Sequence, residues 1–300
     1  MVEEQLHIPV MVNEVIGHLD PKPGQVIVDA TLGTGGHSLE ILKRITPGGR
    51  LIGIDRDEDS LALCRKRLSG FNGSFDLAHS NFSGLDAVLK DYGVESIDGI
   101  VFDLGISTFQ LKNAQRGFSF QEEGPLDMRL DRSSYISAYD LVNNLDEREI
   151  SNMLWNFGQE RWHNRIAHLL VEERRSQPIS TTSQLAELVV RAIPRRYRRS
   201  YYRIHPATRT FQAVRIAVNH ELEFIESALR KAVSFLKRKG RICVISFHSL
   251  EDRQVKHTFK ALKAEGLIDI ITVKPLVPAE AEVADNPSSR SSKFRAAERI

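Results

Sequence analysis

The chain lacks the features that would place it in a membrane, in an oxidising compartment or around a structural metal. No apolar run approaches the roughly 20 residues that span a bilayer, Ile242 to Ile245 being among the longest. The N-terminus M-V-E-E-Q has no basic-then-apolar leader layout, so a soluble, cytoplasmic protein is expected. Only two cysteines occur in 300 residues, Cys64 and Cys243, with no C-x-x-C pair and no Cys/His ligand spacing. Both read as small buried hydrophobes, and no metal is expected. There is no internal repeat and no low-complexity tract. Nor is there a charge excess, because 41 Lys and Arg against 39 Asp and Glu leave a net +2. The overall balance therefore says little about partners.

The distribution of charge says more. Between Leu188 and His220 there is no acid, while Arg191, Arg195, Arg196, Arg198, Arg199, Arg203, Arg209 and Arg215 fall inside with Tyr197, Tyr201 and Tyr202. Arginine interleaved with aromatics suits phosphate contact and base stacking on single-stranded nucleic acid. A solvated basic loop is the plainer alternative.

Val26 to Leu42 runs V-I-V-D-A-T-L-G-T-G-G-H-S-L-E-I-L. A β-branched run enters a glycine loop and then a helical pattern, with Ile41, Leu42 and Ile45 on one face. Gly33, Gly35 and Gly36 permit positive φ and a close backbone approach to a ligand. The helix start beyond them offers unpaired N–H groups to a carboxylate or phosphate. Arg50 to Asp55 follows as a buried strand ending in an acid, and Asp57 to Leu68 as a helix, completing a βαβ unit. Asp55 lies 20 residues beyond Gly35, the interval at which a second strand's acid meets a ribose held by the first loop.

A third strand is expected at 74–79, leading to Phe82, which reads either as a flank for a flat ring or as a core residue, and to a helix at 84–92. Ile97 to Asp103 is a fourth strand. In open parallel sheets ligands lie beyond the carboxyl ends of the strands, so Asp103 joins the glycine loop and Asp55 at one crevice. The rhythm then breaks. Residues 108–131 read as a long functional loop, and 139–190 as helices with Asp146 and Thr182 as caps. This divides the chain into a first core part at 1–107, a mostly helical insertion at 108–210 and a second core part at 211–300. A helical region at 211–236, a strand at 240–247, a helix at 252–262 and a closing antiparallel pair at 268–273 and 291–297 complete the α/β core.

Two ligand classes fit the loop. A dinucleotide asks for G-x-G-x-x-G/A, but the third position here is Ser38. S-adenosylmethionine has no pyrophosphate, and D-x-T-x-G-x-G-G suits it better. The motifs D-A-T-L-G-T-G-G-H-S (29–38), G-I-D-R-D (53–57), D-L-G-I-S (103–107), R-G-F-S-F (116–120), G-P-L-D-M-R (124–129), H-P-A-T-R-T-F-Q-A-V-R (205–215), I-S-F-H-S-L-E-D-R (245–253) and N-P-S-S-R-S-S (286–292) extend over nearly the whole chain. Through them the chain resembles the bacterial small-subunit ribosomal RNA cytosine-N4 methyltransferase family of the MraW type.

The resemblance implies a Rossmann-like class I methyltransferase core with a helical insertion, S-adenosylmethionine as cofactor, and cofactor contacts by Gly35, Gly36, His37, Asp55, Phe82, Asp103 and Gln110, to which the loop reading adds Gly33. The chain departs from the family's S-S-P-Q, with Ser107, Thr108, Phe109 and Gln110 in its place, and the missing proline removes a fixed φ before Gln110. It has no D/N-P-P-Y/F motif at strand four. Asp103 is the first choice of proton acceptor for a cytosine N4, with backbone carbonyls of 104–107 second. His248 reads as an RNA ligand, a proton relay or a structural hydrogen bond. Arg116, Phe118, Phe120, Arg129 and Arg209, with the 195–203 cluster that includes Arg195, Arg196, Arg198 and Arg199, are expected to meet 16S ribosomal RNA or the small subunit, whose target base must be unpaired or extruded. A dehydrogenase using the same loop and a non-catalytic RNA-binding factor are the competing readings. The oligomeric state is left open, a homodimer being one option.

Overall fold

Apolar β-branched runs alternate with amphipathic stretches through the first third of the chain, and the computed structural model, which describes residues 9–198 and 204–300, folds them as successive strands and helices. In chain order these are α1 (Val12–Leu19), β1 (Val26–Asp29), α2 (Gly36–Ile45), β2 (Arg50–Asp55), α3 (Glu58–Arg67), β3 (Phe75–His79), α4 (Leu85–Asp91) and β4 (Ile97–Asp103). A helical stretch follows with α5 (Thr108–Lys112), α6 (Ala138–Asn144), α7 (Glu147–Gly158), α8 (His163–Arg174), α9 (Thr182–Ala192), α10 (Arg195–Arg198) and α11 (Thr208–Asn219). The chain ends with α12 (Ile225–Phe235), β5 (Leu236–Ser246), α13 (Ser249–Ala264), β6 (Ile268–Ile270), α14 (Glu280–Asp285) and β7 (Lys293–Arg299).

Two units result, one from residues 1–107 and 222–300, the other from 108–221. The first holds a seven-stranded sheet in the order β3-β2-β1-β4-β5-β7-β6. Its first five strands are parallel, and β7 runs antiparallel between β5 and β6. Side chains alternate across a strand, and here each face has a core of its own. Val28, Ile52, Ile54 and Ile100 pack with Leu89, Leu229 and Phe259, whereas Ile27, Leu51 and Val101 pack with Val15, Ile41 and Leu42. A sheet covered on both sides explains why its strands read as continuous apolar runs. The strand order turns back between β1 and β4, which puts the ligand crevice of an open sheet at their carboxyl ends. Gly53 is required for packing: a Cβ there would lie 2.7 Å from Leu32 Cδ1.

The second unit is helical. Reciprocal capping boxes start α6 (Ser137 with Asp140), α7 (Asp146 with Glu149) and α9 (Thr181 with Gln184). The cap of α9 is thus Thr181 rather than the expected Thr182. Gly158 lets α7 approach α11 closely, since a Cβ would fall 2.6 Å from the Arg209 carbonyl oxygen. That packing moves the expected boundary: α11 belongs with α6 and α7, so the insertion closes at 221, not 210. The helical region expected over 211–236 consists of two helices, α11 and α12, in different units, α11 ending at His220 with φ +51°. The expected loop at 108–131 begins with α5 and a 3-10 turn at Ala114–Arg116 before becoming irregular.

Candidate cofactor and active site

The crevice is built from the ends of β1, β2 and β4. After β1 the backbone turns through Gly33 (φ +50°) and Gly35 (φ +77°), conformations that a Cβ penalises. Space penalises it too, because a Cβ on Gly35 would lie 2.5 Å from Cys64 Sγ, and one on Gly36 2.9 Å from the Pro9 ring. The α2 N-terminus emerging from this loop has no side-chain cap, so its first N–H groups remain available to an anion.

Asp55, ending β2, ties the loop to the sheet. Its Oδ2 accepts from the Gly33 N–H at 2.6 Å and its Oδ1 from the Asp57 N–H at 2.9 Å. Burial pushes its carboxyl up to about 6 despite these donors. Each oxygen keeps a lone pair, which suits a ribose diol. Asp29, ending β1, is 2 % exposed and accepts from Ser38 Oγ at 2.7 Å and from the Thr31 N–H at 3.3 Å. Burial raises it to about 6 as well. The role of Ser38, missed from sequence, is therefore to hold this buried acid at the start of α2.

Asp103 ends β4. Its N–H donates to Thr31 Oγ1, while its Oδ1 is buried with no hydrogen-bond partner among the described residues. Burial first, then the charges of Asp29 and Glu251, hold its carboxyl well above the ordinary range. His37 stands beside it, 5 % exposed. Its Nε2 is 2.8 Å from the Val10 carbonyl oxygen, which only an N–H can satisfy, so Nε2 carries the proton. Burial lowers the imidazole to about 4. The neutral ring therefore turns the lone pair of Nδ1 towards Asp103 Oδ2, 3.7 Å away. Phe82 follows β3 with its ring edge-on to Phe102 at 6.0 Å, partly buried against the core.

The structure brings Gly33, Gly35, Gly36, His37, Asp55 and Asp103 together at these strand ends. Gln110 lies in the other unit, buried on α5. His248 is the cap of α13: its Nδ1 accepts from the Glu251 N–H at 3.4 Å, and Glu251 Oε2 receives the Phe247 N–H at 2.8 Å. Its Nε2 stands 3.2 Å from Glu251 Oε1, outside hydrogen-bonding alignment. Nδ1 thus serves the helix cap, and Nε2 has no hydrogen-bond partner among the described residues.

In the helical unit several expected RNA ligands are internal. Arg116 is 2 % exposed and donates through Nη2 to the carbonyls of Arg129 (3.1 Å) and Leu130 (2.9 Å), and Phe118 is buried. Neither can reach a nucleic acid in this conformation. Arg129 spends its guanidinium on both carboxylate oxygens of Asp127 and on the carbonyls of Arg132 and Ser134. Arg116 and Phe118 therefore serve the interior of the irregular segment rather than the expected RNA contact, while Arg129, 23 % exposed, is held by Asp127 at the surface. Phe120 packs on His205 and Phe211, and Arg209 donates to the Gln159 carbonyl at 3.1 Å from the surface. Arg195 and Arg196 are exposed on α10. Arg196 stands 4.7 Å from the Tyr197 ring centroid, with Arg161 over both Tyr197 and Trp162. Arg198 closes α10, and Arg199 with Tyr201, Tyr202 and Arg203 lies outside the described residues.

A parallel sheet with an antiparallel seventh strand, a glycine loop after β1, a ribose-spaced acid after β2 and a third acid after β4 define a Rossmann-like class I S-adenosylmethionine-dependent methyltransferase. The site fits that cofactor. It offers positive-φ glycines where a Cβ would clash and an uncapped helix start for the methionine carboxylate. The chain belongs to the MraW methylase family, whose model matches residues 4–300. It is 47% identical to a ribosomal RNA small subunit methyltransferase H of Geotalea uraniireducens, over 98% of both chains, and 47% identical to one of Geobacter sp. over the whole of both. An rRNA methylase structure from Streptococcus thermophilus aligns over 97% of this chain and 95% of its own, at 12% identity and TM-score 0.44. Among the described residues no helix is long and apolar enough to cross a membrane.

Proposed function

We propose that this chain transfers the methyl group of S-adenosylmethionine to the exocyclic N4 of a cytosine in 16S ribosomal RNA. The observation that carries the mechanism is Asp103, whose buried Oδ1 has no hydrogen-bond partner among the described residues, at the end of β4 beside the glycine loop. The relatives named above act on small-subunit ribosomal RNA, and the exposed arginines of α10 supply charge for such a substrate.

The bound cofactor supplies an electrophilic methyl on a sulfonium, whose departure as a neutral thioether needs no acid. The protein's task lies with the nucleophile, because the N4 lone pair is delocalised into the ring. Asp103 Oδ1, accepting one amine N–H, concentrates that lone pair and takes the proton released when the N–C bond forms. A carboxyl held above its ordinary range keeps that proton better than an ordinary aspartate. His37, neutral and anchored to Val10, stands beside Asp103 without donating to it. Asp55 would hold the ribose hydroxyls and the N–H groups beyond Gly35 the carboxylate of the cofactor.

Labelled methyl transfer into small-subunit RNA tests this assignment. Asp103→Ala is expected to lower kcat by about 10²–10⁴-fold with the circular dichroism spectrum retained. A kcat within threefold of the parent would remove Asp103 from the role. Calorimetry with NAD and with S-adenosylmethionine separates the dehydrogenase reading, and N4-methylcytidine mapped by mass in RNA from cells with and without the protein identifies the product.

A further inference from the structure

The turn that follows β5 buries one more acid, Glu251, 1 % exposed in the first turn of α13. Its Oε2 receives the N–H groups of Phe247 and His248, at 2.8 and 3.3 Å, and two donors on one oxygen favour a carboxylate over a carboxylic acid. His248 Nδ1 accepts the Glu251 N–H at 3.4 Å in return, so the turn and the carboxylate fix each other. The neighbouring strand end is that of Asp103. β4 and β5 run side by side, with Asp103 opposite Ile245 and the Leu104 N–H donating to the Ile245 carbonyl at 3.0 Å. Two residues beyond Asp103 the chain passes Gly105 at φ +94°, where a Cβ would stand 3.6 Å from Phe247 Cδ2 and 3.9 Å from Glu251 Oε1. The loop after Asp103 therefore rests against the Phe247 ring and the Glu251 carboxylate.

We propose that Glu251 is a positioning residue for methyl transfer: its carboxylate holds the turn after β5 against the loop after β4 and, as a negative charge fixed there, makes Asp103 keep the proton it takes from the cytosine amine. The inference rests on the reading of Asp103 as that acceptor. Its physical basis is repulsion between like charges in a poorly solvated site. An ionised Asp103 shares its surroundings with Asp29 and Glu251, and after burial itself those two charges hold its carboxyl above the ordinary range. His37, the ring beside Asp103, is neutral and turns a lone pair to it, so it adds no offsetting charge. Once Asp103 has taken the amine proton it is neutral, and the repulsion is gone.

The test uses the full chain carrying aspartate labelled with carbon-13 at the side-chain carboxyl, the signals of Asp103 and Asp55 being assigned with Asp103→Asn and Asp55→Asn. Glu251→Gln keeps an oxygen for the Phe247 and His248 N–H groups and removes the charge. In this variant the Asp103 signal should titrate at lower pH than in the parent. That of Asp55, raised to about 6 by its own burial, should stay in place. Glu251→Asp, which keeps the charge on a shorter arm, should leave Asp103 nearer the parent midpoint. An Asp103 midpoint that does not move, or one that moves together with Asp55 as a general loosening requires, overturns the proposal. In kcat against pH, loss of the charge should carry the acid limb to lower pH and lower the plateau about threefold, because a weaker base is a less effective one. The KM for S-adenosylmethionine should not change. A titration that moves under a pH profile that does not refutes Asp103 as the acceptor, and with it the mechanism above, whereas an unmoved titration refutes the part of Glu251 alone.

Discussion

Asp29 offers a test of the site's electrostatics that needs neither cofactor nor RNA. The carboxyl is 2 % exposed at the end of β1 and held, among the described residues, by Ser38 Oγ and the Thr31 N–H. Burial moves it from 3.8 to about 6, a displacement corresponding to about 3 kcal/mol. An acid whose folded value is raised binds its proton more tightly when folded. Its contribution to stability is therefore full below about pH 4, lost as pH climbs through about 6 and constant beyond. Asp29→Asn keeps an acceptor for the Thr31 N–H, turns an amide donor towards Ser38 Oγ, whose hydroxyl can accept, and removes the titration. The amide's own cost does not depend on pH, and loss of the Asp29 charge also eases ionisation of Asp103, which favours the variant at high pH in the same direction. Urea unfolding of the cofactor-free protein and the variant from pH 4 to 8 should thus give a stability difference that changes by about 3 kcal/mol in the variant's favour, a relative midpoint shift on the order of 1 M. Both tryptophans, Trp155 and Trp162, lie in the helical unit, so the transition should be followed by circular dichroism or by amide exchange in β1 rather than by tryptophan emission. Parallel curves for the two proteins across that range would refute the claim that burial of Asp29 is uncompensated.

Gly35→Ala should reduce S-adenosylmethionine affinity more than tenfold by calorimetry, because the methyl meets Cys64 Sγ at 2.5 Å and the residue sits at φ +77°. Adding Cys64→Ala should recover thermal stability in part and affinity little, since the backbone conformation stays wrong for alanine. Arg116→Ala should destabilise the helical unit by about 3 kcal/mol, orphaning two carbonyls, as read by tryptophan emission in urea. Arg196→Ala should leave that transition in place, and lower the salt slope of RNA binding by about one.

What could be read along the chain and what could not divide on whether the cause is local. The glycine loop and the interval to Asp55 are local: one turn demands small residues, and one βαβ crossover fixes the separation, so both are visible as spacing and both sit where expected in the sheet. Burial of a charge is not local. R-G-F-S-F carries the residues of an RNA-binding surface, yet Arg116 is interior because the carbonyls of Arg129 and Leu130, more than ten positions away, have no strand or helix partner and need a donor. Arg129 also donates to backbone carbonyls, those of Arg132 and Ser134, but at the surface. The boundary at 210 failed for a related reason: apolar periodicity runs unbroken from Phe211 to Leu236, and the break at His220 uses a left-handed non-glycine residue with no glycine or proline nearby to announce it. An arginine in an irregular segment thus has two competing customers, an external phosphate and the segment's own carbonyls. The carbonyls win wherever the segment is buried, since an unpaired carbonyl there costs about 1–3 kcal/mol, while a surface phosphate contact is screened by salt. In this chain the arginines of R-G-F-S-F and G-P-L-D-M-R accordingly answer the helical unit's own carbonyls, Arg116 those of Arg129 and Leu130 and Arg129 those of Arg132 and Ser134.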